Sequence, residues 1–236
     1  MIVALLMLTA AEREQAHHWS YTANGGAAQW GGTCKTGKAQ SPIDIRTAFA
    51  TVEALPPLTF DYRPGMLRII DNGHTVQVNV DPGSSLTVGH DHYQLVQFHF
   101  HKPSEEAIDG RHYAMVAHLV HRDRKGNLAV VAVLLDAGRE NPLIAKLWRN
   151  IPKEKEQEKT LAAVTIDPGQ LIPADRAYFT FNGSLTTPPC SEQVRWFVLK
   201  APMAIGTSQL VRFARLYPTN ARPVQPINGR QVLASR

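Results

Sequence analysis

The 236-residue sequence predicts a single domain of mainly β, α+β class, with short helices at the periphery of one core. Three observations carry this. Several segments alternate apolar and polar residues with a period of two, and turn signals separate them. Sixteen prolines and sixteen glycines are spread along the whole chain, which favours many short elements over a helical bundle. Hydrophobic residues make up 44% and charged residues 19%, a globular composition on a chain long enough for a sizeable core.

The elements follow in order. Leu67–Ile70, Thr75–Val80, Gln94–His101, Met115–His121 and Phe197–Leu199 read as antiparallel strands. Between them stand the turn signals Asp71-Asn72-Gly73, Asp81-Pro82-Gly83, Asp109-Gly110 and Lys125-Gly126-Asn127. Leu128–Leu135 is continuously apolar and reads as a strand buried on both faces. Pro142–Asn150 reads as a short helix with Asn141 as N-cap and Pro142 at the first helical position. Lys153–Lys159 balances three lysines against three glutamates and reads as a solvated helical turn. Ser208–Leu216 is a further short helix.

The formal net charge is +5, and the segment from Gln193 to Arg236 holds seven Lys or Arg and no acid. These cations are scattered among apolar strand-like residues without aromatic interleaving, so the chain is not read as nucleic-acid binding. Residues Ile2–Ala10 form an apolar run too short to span a bilayer, which argues against stable membrane insertion. The run fits the core of a secretory signal, with Thr9-Ala10-Ala11 as a cleavage site, although no Lys or Arg precedes it. Residues 1–11 are therefore read as a signal-peptide remnant, and the protein as periplasmic or secreted. The alternative is a buried first strand or helix. Two distant cysteines, Cys34 and Cys190, exclude a zinc finger or a CxxC pair. Export permits a disulfide between them, against the alternative of two buried thiols.

The histidines carry the chemistry. His99 and His101 are two apart, so on a strand both project from one face while Phe98 and Phe100 point to the other. His118 lies in a second strand-like segment seventeen residues on. With Asp109-Gly110 as the intervening turn, the two strands pair and three imidazoles converge on one metal ion. Three protein ligands with one open position is the arrangement of catalytic zinc, for which carbonic anhydrase is the standard three-His example. His90 and His92 lack a third partner and read as surface; His17, His112 and His121 read as structural.

These residues resemble a known family. His99-Phe100-His101, then Pro103-Ser104-Glu105, then His118-Leu119-Val120-His121 are similar to the zinc-binding core of α-class carbonic anhydrases. In the same order come His18-Trp19-Ser20-Tyr21, Gln40-Ser41-Pro42-Ile43-Asp44-Ile45, Asn72-Gly73-His74, Ser184-Leu185-Thr186-Thr187-Pro188-Pro189-Cys190, Val194-Arg195-Trp196 and Asn220-Ala221-Arg222-Pro223. The resemblance assigns residues 17–236 to one catalytic domain. It implies a central twisted sheet of about ten mostly antiparallel strands, and cis bonds before Pro42 and Pro189. Cys34 and Cys190 fall where exported bacterial members carry their disulfide.

The implied activity is reversible hydration of carbon dioxide to bicarbonate and a proton, by hydroxide on a Zn²⁺ ion held by His99, His101 and His118. Thr186 would order that hydroxide and donate to Glu105. Val120, Val130, Leu185, Thr187, Val194 and Trp196 would line the substrate pocket. His74, in a loop where it is expected exposed and mobile, would shuttle the proton, with Tyr21 and Gln77 holding the water chain. Gln97 shares the His99 face and can accept from it. Where the family commonly places a glutamate two residues before the third ligand, this chain has Val116. Glu106 is expected to reach His118 instead. Two other readings use the same features: a zinc-hydroxide esterase and a non-catalytic binding module. A homodimer is compatible with the sequence, though no interface is legible in it.

Overall fold

The computed structural model describes residues 19–22 and 25–236. The signal-like run, His17 and His18 lie outside the described residues. Strands run in chain order β1 (Asp44–Ile45), β2 (Thr51–Glu53), β3 (Leu58–Asp61), β4 (Gly65–Asp71), β5 (Val76–Asn79), β6 (Ser85–Val88), β7 (Asp91–His101) and β8 (Ala107–Ile108). They continue as β9 (Arg111–His112), β10 (Met115–Arg122), β11 (Leu128–Gly138), β12 (Lys159–Ile166), β13 (Tyr178–Ser184), β14 (Glu192–Leu199), β15 (Met203–Gly206) and β16 (Leu233–Ser235). The helices are α1 (Thr33–Thr36), α2 (Pro142–Arg149) and α3 (Thr207–Leu216), with three single 3-10 turns.

The expected mainly β domain is found. Ten strands follow one another in the order β12-β4-β5-β7-β10-β11-β14-β13-β16-β2, and β3, β6 and β15 attach beside them. Most pairings are antiparallel; β11 pairs parallel with both β14 and β15, and β16 with β2. A separate three-stranded sheet orders β1-β8-β9. Alternation decides which face each residue joins. Phe98, Phe100, Ala117 and Leu119 enter one core with Trp148 and Phe213 from the helices. Val116, Val130, Val194 and Trp196 enter a second core on the other face. Leu128–Leu135 is buried almost throughout because β11 has a core on each side.

Helix α2 begins as its sequence requires: the Asn141 side chain accepts from the Ile144 N–H at 3.1 Å, with proline opening the helix. Two local readings are corrected. Lys153–Lys159 is not helical but a run of bends and turns leading into β12. Its alternating charges are drawn to distant partners, Glu158 to Arg68 and Asn79, and the Glu156 N–H to the Asp71 carbonyl. Asp109-Gly110 turns β8 into β9 and does not join β7 directly to β10, because the intervening segment pairs with β1.

Cys34 and Cys190 form a disulfide across a sequence separation of 156. The bonds before Pro42 and Pro189 are cis, as is the one before Pro103. No helix of the described residues is long and apolar enough to cross a membrane.

Candidate metal centre

β10 pairs antiparallel with β7 in the register that sets His118 opposite His99, and β5 on the other side of β7 sets Gln77 opposite His99. Period-two projection then gathers His99, His101 and His118 on one face. One ring nitrogen from each lies within 4.8 Å of the others.

The remaining nitrogens are taken. His99 Nδ1 meets Gln97 Oε1 at 2.8 Å, and His101 Nδ1 meets the Asn220 carbonyl at 2.7 Å. His118 Nε2 meets both oxygens of Glu106, at 3.1 and 3.2 Å. Each acceptor fixes its imidazole with the proton on the outer nitrogen, so the inner nitrogen keeps a free lone pair. The buried Nε2 of His101 has no hydrogen-bond partner among the described residues. A buried, unpartnered imidazole nitrogen facing two others is costly unless a cation fills the gap, and a neutral three-nitrogen set suits zinc.

Electrostatics agree with neutral ligands at two positions. Burial, reinforced by His118, holds His99 down to about 3, and burial likewise lowers His101. Burial opposes protonation of His118 as well, but the charge and hydrogen bond of Glu106 outweigh it and raise the net value.

Glu105 is fully buried beside this set. Its Oε1 accepts the Arg222 backbone N–H at 2.7 Å, and its Oε2 lies 3.5 Å from His101 Nε2 and 3.8 Å from His118 Nδ1. Burial pushes its pKa up to about 7; His118 lowers it, Glu106 raises it, and the Arg222 N–H and the Thr186 hydroxyl lower it. Thr186 thus stands against Glu105, buried in the Ser184–Cys190 segment.

The apolar residues gather on the same side. Val130, Val194 and Trp196 belong to the second core, with Val120 and Leu185 packed against it. The Trp196 ring lies 5.0 Å from the His118 ring. His99, Val120, Leu185 and Thr187 are only partly buried, whereas His101, His118 and Glu105 are closed off. The site therefore grades from a dry floor to a wetter side.

His74 departs from the expected exposed loop. It is half-buried and stacks on Trp19 with ring centroids 3.7 Å apart. Burial lowers its pKa below the usual imidazole value. Asn72 Oδ1 holds the turn by accepting the N–H groups of His74 and Thr75. Gln77 accepts from Asn72 and donates to Asn79. The buried Tyr21 hydroxyl makes no hydrogen bond among the described residues, and burial, then Glu105, raises its pKa.

Sequence reasoning assigned no role to Trp19, Asn220 or Arg222. All three sit in segments recognised as motifs, but their reach is visible only in three dimensions. Besides Glu105, Arg222 donates to Gln40 Oε1, the Ser41 carbonyl and the Cys34 carbonyl, joining the disulfide to the acid. His90 and His92 lie exposed at the turn into β7, and His121 is buried against Tyr62, its Nε2 2.6 Å from the hydroxyl.

The chain is similar to known proteins. The family model described as eukaryotic-type carbonic anhydrase matches residues 16–236. A carbonic anhydrase of Klebsiella pneumoniae is 44% identical, covering 92% of this chain and 91% of that protein. One from Nostoc is 40% identical, covering 96% and 89%. The α-carbonic anhydrase of Thermovibrio ammonificans, solved with sulfanilamide, superposes with a TM-score of 0.88 at 42% identity, covering 92% of this chain and 98% of that one. With its sheet, its three convergent imidazoles and these relatives taken together, the chain belongs to the α-type carbonic anhydrase family of enzymes.

Proposed function

We propose that the chain hydrates carbon dioxide reversibly to bicarbonate and a proton at a Zn²⁺ ion held by His99, His101 and His118. The observation that carries this is the nitrogen accounting: three outer nitrogens are already bonded, and three inner ones converge. Zinc so held supplies the Lewis acidity that makes hydroxide available near neutral pH; carbonic anhydrase is the worked example of that effect. The chain's own residues do the rest. Glu105 is fixed through Oε1 by the Arg222 N–H, and its other oxygen, without a hydrogen-bond partner among the described residues, is turned toward the floor, where the Thr186 hydroxyl would donate to it and accept from the nucleophile. That fixes where the nucleophile's lone pair points, and orientation alone can remove several kcal/mol from a barrier.

Carbon dioxide has no net dipole, so it is held by contact with Val120, Val130, Leu185, Val194 and Trp196, and Thr187 stands at the partly open side. The proton leaves by way of His74, with Tyr21 and Gln77 contributing polar atoms along the route. The lowered pKa of His74 favours its release to buffer once taken up. The Cys34–Cys190 disulfide fits a non-reducing compartment, and with the signal-like run it supports export.

The test is stopped-flow hydration of carbon dioxide by oxidised protein, before and after zinc removal and readdition. Fast hydration that disappears and returns with zinc is expected. A folded, zinc-loaded protein without hydration would overturn the proposal.

A further inference from the structure

The acceptor for His118 comes from an unexpected direction. Gln97 and its histidine share strand β7. On β10, the neighbour two residues before His118 on the same face is Val116, fully buried and without an acceptor atom. The carboxylate comes instead from Glu106, itself fully buried, at the point where the chain enters β8 of the small sheet. Both its oxygens face His118 Nε2.

Around Glu106 the segment from Ser104 to Tyr113 closes on itself. The Ser104 N–H donates to the Tyr113 carbonyl, the Tyr113 N–H donates to Ser104 Oγ, and that hydroxyl donates to the Glu106 carbonyl. The segment is attached outward by the Ala107 and Asp109 N–H groups on the carbonyls of Ile43 and Ile45, and by Glu105 on Arg222.

We infer that Glu106 is the positioning carboxylate of His118, and that through it zinc occupancy and the docking of the β1-β8-β9 sheet onto the main sheet are coupled. This rests on the zinc reading above. An opening of Ser104–Tyr113 withdraws Glu106, leaves the His118 imidazole without its orienting partner and weakens the metal site. By reciprocity, bound zinc must then oppose that opening. A carboxylate carried on β10 itself would orient His118 equally well and transmit nothing to the small sheet.

The experiment measures two quantities on the full chain: zinc affinity by chelator competition, and hydrogen exchange of the amides of residues 107–113 with saturating zinc and without it. In the unaltered protein zinc is expected to slow exchange there. Glu106→Ala should weaken zinc by roughly 10- to 100-fold, the usual cost of losing an outer partner of a metal-bound histidine. It should also shrink the zinc-dependent slowing. Glu106→Gln, which keeps the shape and loses the charge, should do both to a smaller extent, and it carries the test should the alanine variant not fold. Adding Val116→Glu to either should recover affinity without recovering the slowing.

Affinity within twofold of the unaltered protein in both Glu106 variants would overturn the positioning role. Full slowing in the Glu106 variants, or slowing recovered by Val116→Glu, would overturn the coupling. An unaltered protein that binds no zinc would instead bring down the proposed function, and this inference with it.

Discussion

Asn220 offers the sharpest test of how the site is held. Its residue is fully buried and every polar group it has is engaged. Its carbonyl accepts from His101 Nδ1 at 2.7 Å, and its N–H donates to the Lys102 carbonyl at 3.0 Å. Its side-chain oxygen accepts from the Lys102 N–H at 2.8 Å, and its amide nitrogen donates to the carbonyls of His74 and Phe100, both at 3.0 Å. One side chain therefore ties the end of β7 to the turn that carries His74. Asn220→Ala removes three of these bonds. At about 1 kcal/mol net for each, the loss is about 3 kcal/mol. The Phe100 carbonyl still receives the Thr75 hydroxyl, which limits the penalty there, whereas the Lys102 N–H and His74 carbonyl are left to water. Asn220→Asp keeps the acceptor for Lys102 but turns an oxygen toward two carbonyl oxygens, so it should cost at least as much. Urea unfolding of the zinc-loaded variants at constant m-value measures both. A loss under about 1 kcal/mol for the alanine variant, or a milder aspartate variant, would refute the reasoning, since net hydrogen-bond values rarely fall lower at buried sites.

Three further outcomes are expected. His74→Ala should lower hydration turnover in weak buffer, with partial recovery on adding imidazole; unchanged turnover would remove His74 from proton transfer. His121 is held down to about 4 by burial, so between the ordinary value near 6.5 and pH 4 the unfolded chain binds a proton that the folded chain refuses. Stability therefore falls as pH drops through that window, by about 2 kcal/mol between pH 7 and pH 5 from this group alone, and His121→Gln should flatten the curve by that amount; parallel unfolding curves for the two proteins would contradict it. Replacing both cysteines by serine frees a loop closed over 156 residues, worth about 5 kcal/mol on the chain-entropy model. Calorimetry should show the melting temperature lower by about 10–20 °C, and a fall of only a degree or two would mean that the oxidised unfolded chain is not being constrained.

What was legible in the sequence was local in origin. Alternation over Gln94–His101 and Met115–His121 gave β7, β10 and the common face of His99 and His101, because period two is a property of consecutive residues. Asn141 and Pro142 marked the start of α2 for the same reason. The unread parts depend on partners far away in sequence. Nothing near Asp109 announces that its segment pairs with β1, more than sixty residues earlier, so the turn was given the wrong strands. Lys153–Lys159 has a pattern suited to a helix, yet Arg68 and Asn79 draw Glu158 toward the sheet. His74 belongs to a turn as expected, and Trp19, distant in sequence, stacks on it and helps to half-bury it. Arg222 carries no local sign that it will bridge the disulfide and Glu105.

The three outer acceptors differ in kind, and the difference has a chemical consequence. Gln97 offers an amide oxygen, Asn220 a backbone carbonyl and Glu106 a carboxylate, so one acceptor in three bears a charge. An acceptor that pulls a proton from the outer nitrogen makes the inner nitrogen a stronger donor and drains charge from a bound cation. Neutral acceptors at His99 and His101 would orient a held cation's imidazoles without draining its charge, which would preserve the acidity the proposed hydration needs near neutral pH. The charged acceptor sits at His118, which packs on Trp196 beside the Val116 core, where desolvation opposes leaving an imidazole N–H without a strong partner. Placing the carboxylate at residue 106 meets that need while keeping Val116 apolar beside the substrate-side core. Besides His118, strand β10 thus presents Val116 and Val120 on that face, and the charge reaches His118 from outside the main sheet.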